Sequence, residues 1–187
     1  MKKRLKKPNN YAFIDSQNVN LGIRALGWKV DWRKFRIYLR DKYGVSKAFF
    51  FIGYIKDYAS LYAFLKQAGF HCIFKPTLEL TNGETKGNVD AELVLHTMIQ
   101  WDNFDKAIVV SGDGDFYCLV EHLIKEKKFY KLLVPDERKY SSLFNRLTAS
   151  SETLIDSLNS LQAKLSYKMK RATSGTEPFG NPNRRET

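Results

Sequence analysis

Asp15, Asp90, Asp113 and Asp115 are the residues of this chain best placed by type and spacing to do chemistry. Asp15 closes the apolar run Tyr11-Ala12-Phe13-Ile14, Asp90 follows Gly87-Asn88-Val89 at the entry to an apolar helix, and Asp113 and Asp115 come just after Ala107-Ile108-Val109-Val110. An apolar strand that stops at an acid delivers it to the sheet edge where α/β proteins build their sites. Four carboxylates converging there repel one another unless a divalent cation sits among them, and hard cations such as Mg²⁺ or Mn²⁺ take oxygen ligands. Such a set suits metal-assisted chemistry on phosphate esters.

Each acid alone also has a plainer reading. Asp15 precedes Ser16-Gln17-Asn18, expected as a polar loop, where an Asp commonly caps a turn; read as a site, it has Asn18 nearby to help hold a phosphate or a metal-bound water. Gly112 and Gly114 alternate with Asp113 and Asp115, so the backbone can turn sharply and aim both carboxylates at one ion. The competing role is a turn with Asp115 as helix cap, which leaves Asp113 unexplained. Asp90 opens the helix Ala91 to Trp101, where capping alone suffices. Lys86 is a candidate phosphate contact, while Glu92 and Asp136 are weaker acids of interest.

The elements that must position these acids alternate. Apolar runs near 11–15, 45–54, 70–75, 106–111 and 129–134 read as strands buried on both faces. Helices are expected at about 31–43, 57–68, 89–101 and 116–128, with Asp31 as the N-cap of the first and Gly69 ending the second. In the first, Trp32, Phe35, Leu39 and Tyr43 form the inward stripe, and Arg33, Arg36 and Arg40 share a neighbouring outward face. Strands alternating with helices predict an α/β fold with a mainly parallel central sheet covered on both sides. Two shorter helical segments are expected at about 141–148 and 151–165. The chain then divides into a basic arm over 1–9, a folded domain over 10–165, and a basic tail over 166–187 whose Ser, Gly, Pro and Asn content cannot build a core.

The 187 residues, 43% of them hydrophobic, suffice for one core. His71, His96, His122, Cys72 and Cys118 lack metal-ligand spacing, and both cysteines are expected as buried thiols in a reducing cytoplasm. The basic start is followed by Pro8-Asn9-Asn10 and an apolar stretch too short for a signal sequence or a membrane span, so a soluble cytoplasmic protein is expected. Of the net charge of +11, residues 1–7 supply +5 and residues 164–187 supply +4; residues 24–47 hold eight bases against Asp31 and Asp41. A polyanion is the natural partner, with nucleic acid ahead of a membrane surface. The alternative is that these charges only solubilise the chain.

The motifs Phe13-Ile14-Asp15-x-x-Asn18, Lys86-Gly87-Asn88-Val89-Asp90 and Ser111-Gly112-Asp113-Gly114-Asp115-Phe116 resemble, in order and spacing, those of the NYN domain family of PIN-like nucleases. The resemblance covers roughly residues 10–160. It implies a three-layer α/β/α PIN-like fold and Mg²⁺- or Mn²⁺-dependent hydrolysis of RNA, with Asp15, Asp90, Asp113 and Asp115 in the metal-binding positions and Asn18 and Ser111 in supporting ones. The basic arm and tail are outside what it covers.

On this reading a bound ion supplies what phosphodiester cleavage needs, so no His, Ser or Cys nucleophile is required. Asp15 and Asp113 are expected as principal ligands, Asp115 and Asp90 as completing the site, and Lys86 as a phosphate contact. Single-stranded or structured RNA, cut endonucleolytically, is expected to cross the helix bearing Arg33, Arg36 and Arg40, with Tyr38 available to stack a base. Two other readings stay open: a non-cleaving RNA-binding module, and a haloacid-dehalogenase-type phosphatase. The latter needs a second Asp two residues after the first, where this chain has Gln17. The sequence leaves open a homo-oligomer or a regulatory protein partner.

Overall fold

Strands that are apolar on both faces can be covered only if helices pack above and below them, and the protein takes that arrangement. A computed structural model describes residues 8–76, 78–79, 85–86, 89–148 and 154–167. In chain order the elements are β1 (Asn10–Asp15), α1 (Ser16–Ala25), α2 (Trp32–Tyr43), β2 (Val45–Tyr54), α3 (Ala59–Gln67), β3 (Phe70–Pro76), β4 (Leu78–Glu79), β5 (Thr85–Lys86), α4 (Asp90–Ile99), β6 (Ala107–Val110), α5 (Tyr117–Lys125), β7 (Phe129–Val134), α6 (Leu143–Thr148), β8 (Ile155–Ser157) and α7 (Gln162–Leu165). The main sheet has the order β3-β2-β1-β6-β7-β8 and every pairing in it is parallel. β4 and β5 form a separate antiparallel pair.

Alternation along β1 divides the core. Ala12 and Ile14 face a layer that includes Val19 and Ile23 of α1, Phe35 and Leu39 of α2, and Leu65 of α3. Tyr11 and Phe13 face the opposite layer, with Leu93 of α4, Leu119 and Leu123 of α5, and Phe144 of α6. Phe13 stacks on Phe49 of β2, 5.5 Å between ring centroids, and meets Phe104 edge-on. Helix α2 follows its sequence signals: the Asp31 carboxylate accepts from the Arg33 and Lys34 amides, and Gly44 ends the helix at φ 65°, a left-handed conformation that favours glycine.

Three expectations are corrected. The polar stretch after Asp15 is helix, not loop: α1 is capped by Asp15 itself and held by Val19 and Ile23, one turn apart on its inner face. The segment expected as helix over 151–165 instead supplies β8 at 155–157, which extends the sheet beyond β7 and so satisfies backbone groups of that edge. A 3-10 turn at Asn159–Leu161 and the short α7 follow. Cys118 is exposed on α5, not buried, and Cys72 is half-buried, its thiol pKa raised by burial.

The packed region extends slightly past the expected limits. Asn9 donates its amide to Asp105, and Ser166 and Tyr167 pair with the segment joining α1 to α2. The arm at 1–7, the tail from 168 and the Gly87-Asn88 step lie outside the described residues. No helix among the described residues is long and apolar enough to cross a membrane.

Candidate metal centre

β1 and β6 are adjacent, and from them the strand order runs outward in opposite directions: β2 and β3 on one side, β7 and β8 on the other. That reversal opens a crevice at the carboxyl ends of β1 and β6, the usual binding position in such a sheet. Asp15 is the last residue of β1, and Ser111 to Asp115 follow β6.

Ser111 joins the two sides. Its hydroxyl donates to Asp15 Oδ2 at 3.2 Å and accepts from the Asp113 amide at 3.1 Å. Asn18, in the first turn of α1, makes a second tie: its amide donates to Asp15 Oδ1 at 3.1 Å while its Oδ1 accepts from the Gly112 amide at 2.8 Å. The two supporting residues therefore lock the acid of β1 to the loop after β6.

Asp90 at the start of α4, Asp113 and Asp115 each offer a carboxylate oxygen, and these oxygens lie within 4.8 Å of one another. Asp90 and Asp113 are half-buried and Asp115 is exposed. Asp15 stands beside this group. It is only 4% exposed, and burial pushes its carboxyl up from the ordinary 3.8 to about 6; repulsion from Asp90 and Asp113 adds to the rise, while the bonds from Asn18 and Ser111 oppose it. Oxygens on opposite sides of a Mg²⁺ are about 4.1 Å apart. Three carboxylate oxygens within 4.8 Å of one another are near enough to be drawn onto one such ion.

The glycines act differently from the sequence reading. Neither Gly112 nor Gly114 has a positive φ. They are needed because the segment after β7 packs directly on them: a Cβ on Gly114 would lie 2.9 Å from Ser141 Cβ, and one on Gly112 would lie 3.3 Å from Tyr140 Cβ. Ser141 also donates its amide to the Gly112 carbonyl at 2.9 Å. Ser141 and Tyr140 support the acidic loop, a role with no sequence signal, since one opens the expected 141–148 helix and the other just precedes it. The cap of the short 3-10 turn at 114–116 is Asp113, whose Oδ1 accepts from the Asp115 amide, and not Asp115.

Arg36 of α2 is engaged away from this edge. Arg36 donates to the carbonyls of Gly69, Val45 and Ser46, all at the entry ends of β2 and β3. That edge is opposite the acids, about 17–20 Å away for strands of this length. Arg40 is exposed and pairs with Asp41, and Arg33 lies over the Phe64 ring. These bonds give Arg36 a structural role at that edge. The Tyr38 ring is half-buried edge-on against Tyr43, with the two hydroxyls 3.2 Å apart. Lys86 lies on β5 opposite Leu78. Glu92 pairs with Lys75 at 3.2 Å.

A family model described as the NYN domain matches residues 11–157, from β1 through β8. The chain belongs to the NYN domain family. The match spans all four aspartates and both residues that tie Asp15 to the loop after β6. A crystal structure of a protein of unknown function from Vibrio parahaemolyticus RIMD 2210633 is similar to this NYN domain, with 23% identity, a TM-score of 0.68, and coverage of 86% of this chain and 97% of that one. This likeness establishes the shared α/β fold. No curated protein matches the sequence.

Proposed function

We propose that this NYN domain is a Mg²⁺- or Mn²⁺-dependent ribonuclease that hydrolyses internal phosphodiester bonds of single-stranded or structured RNA. The observation that carries the reading is the convergence of Asp90, Asp113 and Asp115 within 4.8 Å beside the buried Asp15. Asp90, Asp113 and Asp115 hold the cation, with Asp15 completing the set. When bound, the ion stabilises charge on the phosphoryl oxygens and acidifies the attacking water.

The chain's own groups supply order. Ser111 and Asn18 orient the Asp15 carboxylate and fix the loop that carries Asp113 and Asp115. Asp15 retains a proton up to a pH of about 6 in the metal-free protein, so cation binding below that pH releases it. Lys86 is assigned to the substrate phosphate. The net charge of +11 favours a polyanionic substrate. Gln17, exposed on α1 where a phosphatase of the haloacid-dehalogenase type needs an acid, argues against that alternative.

The test is incubation of the purified protein with labelled single-stranded RNA and DNA in Mn²⁺, Mg²⁺ or EDTA, with mapping of product ends. RNA cleavage in Mn²⁺, its loss in EDTA, and a loss of at least about 100-fold in Asp113→Asn are expected. Cleavage persisting in EDTA refutes the metal mechanism, and binding without cleavage under every condition favours the non-cleaving module.

A further inference from the structure

Beside the acids lies a cavity of about 190 Å³ that the cleavage reading leaves unused. One wall is a single face of α1: Asn18, Leu21, Gly22 and Ala25 stand one helical turn apart or less. The other wall is Pro135 and Asp136, immediately after β7. The walls approach closely at their base, because a Cβ on Gly22 would fall 2.6 Å from Pro135 Cβ. The result is a narrow slot with apolar sides, smaller than the roughly 300–1,000 Å³ of sites for drug-sized ligands. An occupant the size of a single pyrimidine ring suits that volume.

Its polar lining is equally selective. Asp136 is 4% exposed; its Oδ1 accepts from the Arg138 amide at 3.0 Å and lies 3.6 Å from Arg138 Nε. Its Oδ2 has no hydrogen-bond partner among the described residues. A buried carboxylate in the wall of a mainly apolar cavity disfavours anions beside it and accepts from an N–H donor. Lys139, also on the cavity wall, disfavours a free cation there.

Asn18 lies on the wall of the slot and also donates to Asp15, so an occupant of the slot is one residue away from the acid site. A nucleotide whose phosphate is at the acids has its own or its neighbour's base within reach. Resting on the reading of the acids as an RNA-cleaving site, we infer that this slot is a nucleobase subsite and that Asp136 selects a base bearing an exocyclic amino group. Cytosine N4 donates to Asp or Glu in this way. Uracil presents a carbonyl oxygen at the same position and is repelled.

Cytosine and uracil have the same ring size, so their comparison isolates the amino group. The experiment measures anisotropy of labelled oligo(C) and oligo(U) with the full-length protein in EDTA, which keeps it independent of cleavage. The wild type is expected to bind oligo(C) about tenfold more tightly than oligo(U). Asp136→Asn keeps an acceptor for the Arg138 amide but offers an amide group to the base, and should bring the ratio to within about twofold. Ala25→Leu, at an exposed position that fills the slot, should do the same by a route that leaves Asp136 intact. Equal affinities in the wild type, or a cytosine preference that survives either substitution, overturns the inference. Absence of Mn²⁺-dependent cleavage refutes the nuclease reading and leaves the affinity ratio to decide the subsite.

Discussion

Replacing Asp15 with Asn should make the metal-free protein more stable at pH 8. Asp15 is buried and its carboxyl is raised from 3.8 to about 6, so the folded state binds its proton more tightly than the unfolded chain does. Below about pH 4 both states are protonated and Asp15 costs nothing. As pH rises from about 4 to 6 the unfolded state releases the proton first, and stability falls; above 6 the full penalty applies. At 1.36 kcal/mol per pH unit the penalty is about 3 kcal/mol. Asn carries no charge to bury and caps a helix as well as Asp does, so α1 keeps its cap. The weakened bond from Ser111 offsets part of the gain, leaving about 1–3 kcal/mol. For a domain of this size that is a rise in Tm of about 2–12 °C. Paired thermal melts of wild type and Asp15→Asn in EDTA, at pH 4 and pH 8, test it. The variant should be the more stable at pH 8 and no more stable than wild type at pH 4, and adding Mn²⁺ should raise the wild type more than the variant. A variant less stable than wild type at pH 8, or a gain equally large at pH 4, refutes the account of Asp15 as a charge held against burial for a cation.

Three further outcomes are expected. Gly114→Ala sets a Cβ 2.9 Å from Ser141 Cβ and should cost about 1–3 kcal/mol in denaturant unfolding while lowering Mn²⁺-dependent cleavage; unchanged stability and activity would contradict the packing described. Arg36→Ala removes three bonds to carbonyls and should destabilise by about 1–3 kcal/mol with RNA affinity retained, whereas lost affinity at full stability would return Arg36 to the RNA path. Deleting residues 1–7 removes five bases and should flatten the log–log salt dependence of RNA binding by about 0.7 for each phosphate no longer neutralised; an unchanged slope means that the arm only solubilises.

What the sequence revealed of the site was whatever short-range pattern encodes. Asp15, Asp113 and Asp115 stand where apolar runs stop, and the runs themselves fix a parallel sheet, so the acids could be assigned to one edge before any coordinates. Their inequality was not legible. Asp15 is buried and Asp115 is exposed because helices and loops distant in sequence cover one and leave the other, and no local spacing carries that difference. Helix α1 escaped notice because Asn18, Asn20 and Gly22 are poor helix formers and only Val19 and Ile23 face the core. Strand β8 escaped because Ile155-Asp156-Ser157 has too few residues to show a period and is strand by virtue of its pairing with Leu132, Leu133 and Val134. Arg36 sits on the outward face as read, yet its reach to three carbonyls depends on where β2 and β3 begin.

The bond from Ser111 to Asp15 spans 96 residues of chain, and that from Asn18 to Gly112 spans 94. Nothing shorter than the segment from β1 to the turn after β6 contains both sides of the crevice. Closing a loop of that length is slow and is rewarded only once the central strands have paired, so the centre forms late in folding. A nascent chain that has emerged only as far as β3 holds one of the four aspartates and has no cation site at all. The activity assigned to the acids is thus withheld from incomplete chains by topology alone, and acquisition of Mn²⁺ affinity during refolding reports completion of the sheet centre.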